Sequence, residues 1–421
     1  MTDYNTLGNG FKRGLLGYTE KISDGLAKPM KRFVAEMIYG IAAFKSCKLS
    51  EIGRALKEEI PLKKTVDRLG RNLHHFSQNE LLTRQYLDTV RPKIGTDTML
   101  VIDGGDATKP CSSKMEAIGS VRDGSTGGFG IGYWTMGVVA LSEENHQPIP
   151  VYEKLYPCKK EGGLGFNQET KNALAALREH FDADIPRVFD RGFDSGEILN
   201  ELNAHNEKWI IRANQNRVAV HKGKRTHIND VVRGLNCEQR MIFHTKNGEK
   251  TECKIGMTQL TLPRLNNLKL NLIVCKGFGD PLVLYTNLDQ TIDTLGVRIV
   301  KAYLMRWRIE EFYAFKKQGL GFEDFRVRSL KSIQTLDLLL TIAAGYIGTF
   351  CARANSSQFV AALIAASKPI QGVSRFLKKR KFFYYAVSDG IQVVLGSLRC
   401  GISSSFISPP KAPFEQLGFA L

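Results

Sequence analysis

The chain has 421 residues, 43% of them hydrophobic and 24% charged, an ordinary balance for a soluble globular protein and enough for two to four units. Its formal charge of +17 is not ordinary, and it points to a polyanionic partner, nucleic acid first and an anionic membrane surface second. The eight cysteines are scattered, with no Cys-x-x-Cys pair and no His-x-x-x-His partner, which argues against a zinc site or a disulfide framework and for a reducing compartment.

Residues 1–95 read as helical. The opening MTDYNTLGNGFKRGLLGY lacks the apolar stretch of a secretory signal, so a cytoplasmic, nucleoid-associated protein is expected. Further on, LSEIGRALKEE, a bend at Ile60-Pro61 and LKKTVDRLGRNLHHF read as two helices joined by a short turn. Ser50 stands where it would cap the first, and Lys63, Lys64, Arg68 and Arg71 give the second a basic face. The pair suits a helix-turn-helix that grips DNA. His74 and His75 are expected at the surface, and Asn79 to Pro92 reads as another helix.

The texture changes over residues 96–213. Short apolar runs at Thr98–Asp103, Tyr133–Leu141, Ile149–Tyr156, Pro186–Asp190 and Lys208–Arg212 predict five strands, with helices over Gln168–Phe181 and Ser195–Asn206. Lys114 to Thr126 reads as a polar loop, and the glycine run GGFGIGYW lacks the spacing of a phosphate-binding loop. Three successive strands predict a meander, and the strand–helix alternation after them predicts parallel additions to its edge. Asp103 and Asp190 are each expected to terminate a strand, where open α/β sheets present their chemistry.

Residues 214–295 read as a β-rich insertion, with Asn247-Gly248 marking a hairpin turn. The second part of the α/β domain, 296–353, opens on GVRIVKAYLMRWRIEEFYAFKKQGLG, in which Gly296 and Gly319/Gly321 bracket a run free of Gly and Pro, expected as one long helix from Gly296 to Gly321. At about 100° per residue Tyr303, Arg306, Glu310 and Lys317 fall within roughly 60° of one another, on a stripe about 21 Å long. Leu304, Trp307, Phe312 and Phe315 lie off that stripe and would dock the helix on a core. A carboxylate flanked by two cations and a phenol suits a place where metal and phosphates are held together; a solvated charged face has the same composition. Leu338 to Ala352 is apolar but interrupted by Thr and Gly, and reads as a buried helix rather than a membrane span. Residues 354–421 hold a basic, aromatic cluster, Arg375 to Tyr385, and a loose tail.

Asp103 and Asp190 at strand ends and Glu310 on a late helix are candidates for one converging site. Each aspartate alone is better explained as a strand-end turn or helix cap; it is their joint placement that points to a site. Three carboxylates without Cys or His form a hard oxygen site that favours Mg²⁺ or Mn²⁺. Two such ions can activate a water or a 3′-hydroxyl and stabilise a leaving oxygen.

The order Tyr303-x2-Arg306-x3-Glu310-x6-Lys317 resembles the Tyr-Arg-Glu-Lys signature of a large branch of bacterial insertion-sequence transposases of the DDE class. VIDGGDATKP and RVFDRGFDS resemble that family's two aspartate blocks, LVLYTNL the segment closing its β insertion, and the similarity runs over about residues 96–350. The resemblance implies an α/β, ribonuclease-H-like mixed sheet with flanking helices, carrying Asp103, Asp190 and Glu310 as ligands of two Mg²⁺ or Mn²⁺ ions. It implies cleavage of double-stranded transposon ends, often through a hairpin, and joining to target DNA, by a homodimer in a synaptic complex and without a membrane. Tyr303, Arg306 and Lys317 would contact phosphates near the cut. One departure is a second acid, Asp106, three residues after Asp103; Asp103 is preferred because it closes the strand, and Asp194 is read as a helix cap. A metal-dependent nuclease that does not join, and a DNA-binding descendant that no longer cuts, are the alternatives.

Overall fold

The computed structural model describes residues 3–95, 97–124, 127–144, 146–244, 250–277, 279–289, 292–353, 357–367 and 382–407. Asn247-Gly248 and the stretch Arg375–Arg380 of the basic cluster lie outside them. The chain divides into two compact units: a helical one of residues 1–89, 107–118 and 314–421, and an α/β one of residues 90–106 and 119–313.

The α/β unit is built on one sheet, of twelve strands among the described residues: β1 (Thr98–Thr108), β2 (Gly119–Arg122), β3 (Phe129–Ser142), β4 (Ile149–Tyr156), β5 (Arg187–Phe189), β6 (Trp209–Arg212), β7 (Val218–His221), β8 (Lys224–His227), β9 (Gln239–His244), β10 (Lys250–Leu262), β11 (Leu268–Lys276) and β12 (Leu282–Thr286). β4 pairs antiparallel with β3, β3 neighbours β1, and β5 and β6 add in parallel beyond it. This is the expected meander with parallel additions, and its order, β4-β3-β1-β5-β6, is the ribonuclease-H-like one. The helices Phe166–Arg178 and Ile292–Met305 pack on it, the first against β3 and β4 and the second against β5, β10 and β11.

Two expectations need correction. β1 does not end at Asp103 but continues through Gly104-Gly105 to Thr108. A side chain there would collide: a Cβ on Gly104 would lie 2.9 Å from the Phe166 ring and one on Gly105 2.6 Å from Thr135 Oγ1. The loop expected over 114–126 contains β2, which pairs with the first residues of β3. Strands β7–β12 fall within residues 214–295, and β12 pairs antiparallel with β6, so these strands extend the main sheet.

In the helical unit the N-terminal helices share their core with late ones. Helix Lys28–Phe44 packs on Leu330–Cys351 and Tyr384–Gly396, and Phe11, Tyr18, Tyr346 and Phe350 form one aromatic cluster. Leu330–Cys351 is long and apolar enough to cross a membrane, yet 89% of its apolar window is buried, as the sequence predicts for a core helix. The two expected N-terminal helices run Leu49–Ala55 and Leu62–His75; Lys48, not Ser50, precedes the first, and Ser50 lies inside it.

Candidate active site

Strand register sets the site. Ile102 of β1 pairs with Phe189 of β5, which pairs with Ile211 of β6. The next residue of each strand is therefore level with its neighbours: Asp103, Asp190 and Arg212. Asp190 follows the last paired residue of β5, as expected, and Arg212 Nη1 stands 4.0 Å from Asp190 Oδ1. β5 itself is anchored at its first residue, Arg187, fully buried and ion-paired to the equally buried Glu207.

The third wall comes from the late helix, which is not the single helix expected. One segment ends at Met305, a second runs Arg308–Ala314, and residues 315–319 form a π turn. Between the first two the amides of Arg306, Ile309 and Glu310 donate to carbonyls three residues back, a 3₁₀-like tightening. With no Gly or Pro present, the tie at this break is Arg306 itself. Its Nη1 donates to Asp103 Oδ2 at 2.6 Å and its Nη2 to Glu310 Oε1 at 2.7 Å. One turn earlier the Tyr303 hydroxyl donates to Asp190 Oδ1 at 2.7 Å. Of the four off-stripe residues, Phe312 and Phe315 are buried, whereas Leu304 and Trp307 are half-buried.

The structure thus brings together Asp103, Asp190, Tyr303, Arg306 and Glu310. Lys317 lies in the segment that belongs to the helical unit, and there it pairs with Glu323 at 3.1 Å. Glu311, next to Glu310, turns to the buried Arg308 and forms an ion pair with it. Asp106 is buried and accepts from the Gly124 amide at 3.1 Å. Asp194 is not a cap: Ser195 caps the following helix, while Asp194 pairs with Arg217 and accepts from the Asn214 amide. In helix Leu62–His75, Lys63, Lys64 and Arg71 are exposed, as are His74 and His75, but Arg68 is engaged. Its guanidinium holds the fully buried Glu36 and both oxygens of Glu58.

Two residues were missed in the sequence. Arg212 shows only once the strands are aligned. Tyr313 lies across Gly105 and Gly137 of neighbouring strands, where a Cβ on Gly137 would come 2.4 Å from its hydroxyl, and that hydroxyl donates to the Asp103 carbonyl at 2.8 Å.

Three carboxylates share too little positive charge. Burial pushes the Asp103 carboxyl up to about 7; Arg306 opposes the rise, and the Asp190 and Glu310 charges add to it. Burial acts on Asp190 too, but the Tyr303 hydroxyl, the Arg191 amide, Arg306 and Arg212 outweigh it and hold this carboxyl below its ordinary range. Tyr303 is pushed up to about 12 by burial and by the Asp190 charge. Arg306 is half-buried, and desolvation disfavours its charge, yet the acids hold it more firmly protonated than usual. Its Nε is buried and makes no hydrogen bond among the described residues.

The donor set is all oxygen and suits a hard divalent ion, with Asp103, Asp190 and Glu310 as the residues that would hold it. Among the described residues no three His, Cys, Asp or Glu side chains are gathered closely enough to hold one as they stand; the guanidinium of Arg306 occupies the two carboxylates.

Residues 165–345 match the family model of the transposase DDE domain, a segment that includes Asp190, Tyr303, Arg306, Glu310 and Lys317 and starts after Asp103. Among solved structures the chain is similar to piggyBac transposase in a synaptic complex with hairpin DNA, at 11% identity over 98% of this chain and 87% of that one, with a TM-score of 0.44. It is also similar to the NurA nuclease from Sulfolobus solfataricus, at 11% identity over 59% of this chain and 83% of that one, with a TM-score of 0.24.

Proposed function

We propose that the protein is a DDE transposase that cleaves the double-stranded ends of an insertion sequence and joins them to target DNA, acting as a homodimer. The observation that supports this reading best is the level placement of Asp103 and Asp190 on adjacent strands, with Glu310 tied to Asp103 through Arg306. The family match over residues 165–345 agrees with it.

The catalytic residues in this reading are Asp103, Asp190 and Glu310. Two Mg²⁺ or Mn²⁺ ions bound by them would supply activation of a water or 3′-hydroxyl and stabilisation of the leaving oxygen. The chain's own residues prepare that state. Arg306 balances two carboxylates that would otherwise repel, and its charge is available to a phosphate once they are otherwise compensated. Tyr303 keeps Asp190 ionised and oriented, and Tyr313 fixes the backbone of Asp103 from the carbonyl side.

The test is Asp190→Ala, assayed in Mg²⁺ on duplexes carrying the transposon end. Strand cleavage should fall below detection while the gel shift of the same duplex persists. Cleavage at the wild-type rate would overturn the assignment. Transfer of the freed 3′-end to a second duplex by the wild-type protein separates a transposase from a nuclease that only cuts.

A further inference from the structure

The helical unit has a second charged feature that the carboxylate site does not use. Segment 107–118 and segment 323–328, with Lys48, line an open cavity of about 540 Å³. Five cations and two carboxylates line it, a surplus of three positive charges. The two acids are already compensated: Asp324 pairs with Lys48 at 2.7 Å, and Glu323 with Lys317 at 3.1 Å. Lys114, Arg326 and Arg328 are exposed, and none makes a side-chain ion pair or hydrogen bond among the described residues.

The seat is built in advance. Lys109 Nζ donates to the carbonyls of Glu323 and Phe325 at 2.6 and 2.8 Å, and Glu323 in return accepts from the Thr108 amide at 2.8 Å. Glu116 crosses the other end, its amide donating to the Arg328 carbonyl and its carboxylate accepting from the Leu330 amide. The backbone that carries the cations is thus held in place before a ligand arrives, and only their exposed side chains remain to be ordered.

We propose that this cavity is a contact site for the phosphate backbone of duplex DNA. The inference rests on the reading of the protein as a DNA-processing enzyme. Two fork-shaped guanidiniums and an ammonium, all unpaired, match phosphate oxygens. The ligand is taken by its backbone, not its bases. The aromatic ring at the cavity, Phe325, is buried and covered by Lys109 Nζ 4.5 Å from its centroid, so it offers no stacking face. Contacts of this kind fix position and carry no sequence information.

The experiment measures binding of the full-length protein to a labelled duplex of arbitrary sequence by fluorescence anisotropy, without divalent ions, over a series of KCl concentrations. In Lys114→Ala/Arg326→Ala/Arg328→Ala the slope of log Kobs against log[KCl] should be shallower by about 2.7, three phosphate contacts at about 0.9 each. The charge-preserving Lys114→Arg/Arg326→Lys/Arg328→Lys should keep the wild-type slope, which separates lost contacts from a damaged fold. A wild-type slope in the alanine variant overturns this site and leaves the transposase reading standing. A wild-type protein that binds no duplex overturns both. The exposed Cys111 on the cavity wall gives an independent readout: duplex should slow its maleimide labelling several-fold in the wild type and not in the alanine variant.

Discussion

Asp103 has to ionise against burial and two neighbouring carboxylates, with Arg306 as its main support. In the unfolded chain its carboxyl returns to the ordinary 3.8, whereas the folded one stands near 7. Between those values the folded protein holds a proton that the unfolded chain has released. This group's contribution to stability therefore declines as pH rises from about 4 to about 7 and is level above that. In metal-free protein, a ¹³C titration of the Asp103 carboxyl should centre near 7 and move higher in Arg306→Ala, since the one lowering cation is gone. A midpoint near 4 would mean that the carboxyl is solvated. The sequence made Asp103 a candidate through its place after an apolar run; packing gives Asp106 a different surrounding. Asp106 is buried and bonded to the Gly124 amide, a partner eighteen residues away that no local pattern announces.

The broken helix changes what its two adjacent glutamates should do. On a continuous helix Glu310 and Glu311 differ only by about 100° of rotation. Here Glu310 faces Asp103 through Arg306, and Glu311 neutralises the buried Arg308. Glu310→Gln should fold normally, bind DNA and lose cleavage, because in the proposed reading this carboxylate is a metal ligand worth several kcal/mol to the transition state. Glu311→Gln should cut at near wild-type rate per folded molecule but lose about 1–3 kcal/mol of stability, as a buried guanidinium loses a charged hydrogen-bond partner. Chemical denaturation beside cleavage kinetics reads both, and the opposite pattern would mean that the wrong glutamate had been chosen. The intervals of Tyr303, Arg306 and Glu310 were legible because each partner lies within the first two turns around the break. The π turn over Phe315–Gly319, which holds Lys317, was not legible, since its residues carry the same composition as the helix before it. β2 escaped notice since a four-residue edge strand with exposed Ser120 and Arg122 has the composition of a loop.

For the whole molecule, the charge of +17 is distributed over residues with different tasks. Lys63, Lys64 and Arg71 are exposed, whereas Arg68, on the same helix, compensates Glu36 and Glu58. Replacing the first three by Ala should flatten the salt dependence of DNA binding by up to about 2.7, at about 0.9 per phosphate contact. Arg68→Ala should leave that slope unchanged and lower the thermal midpoint, since a buried carboxylate loses a charged donor worth about 1–3 kcal/mol. If Arg68→Ala alone flattened the slope, the ion-pair network would be open in solution. The sequence could not separate these four cations: Glu36 is thirty-two residues from Arg68, and a helical wheel records only near neighbours. The meander and the parallel additions were legible, because each follows from short-range alternation of apolar runs and turns. The pairing of β12 with β6 was not, since it joins residues far apart in the chain. That pairing also has a consequence for biosynthesis. From Arg212 to Leu282, about 70 residues must leave the ribosome before β6 finds its outer neighbour, several seconds at about 5–20 residues per second. During that interval Trp209, Ile210 and Ile211 present an apolar strand with unsatisfied backbone groups, a template for pairing with another nascent chain. The insertion thus acts as a late-arriving seal on the main sheet, and a polypeptide arrested inside it would leave the outer edge of β6 open.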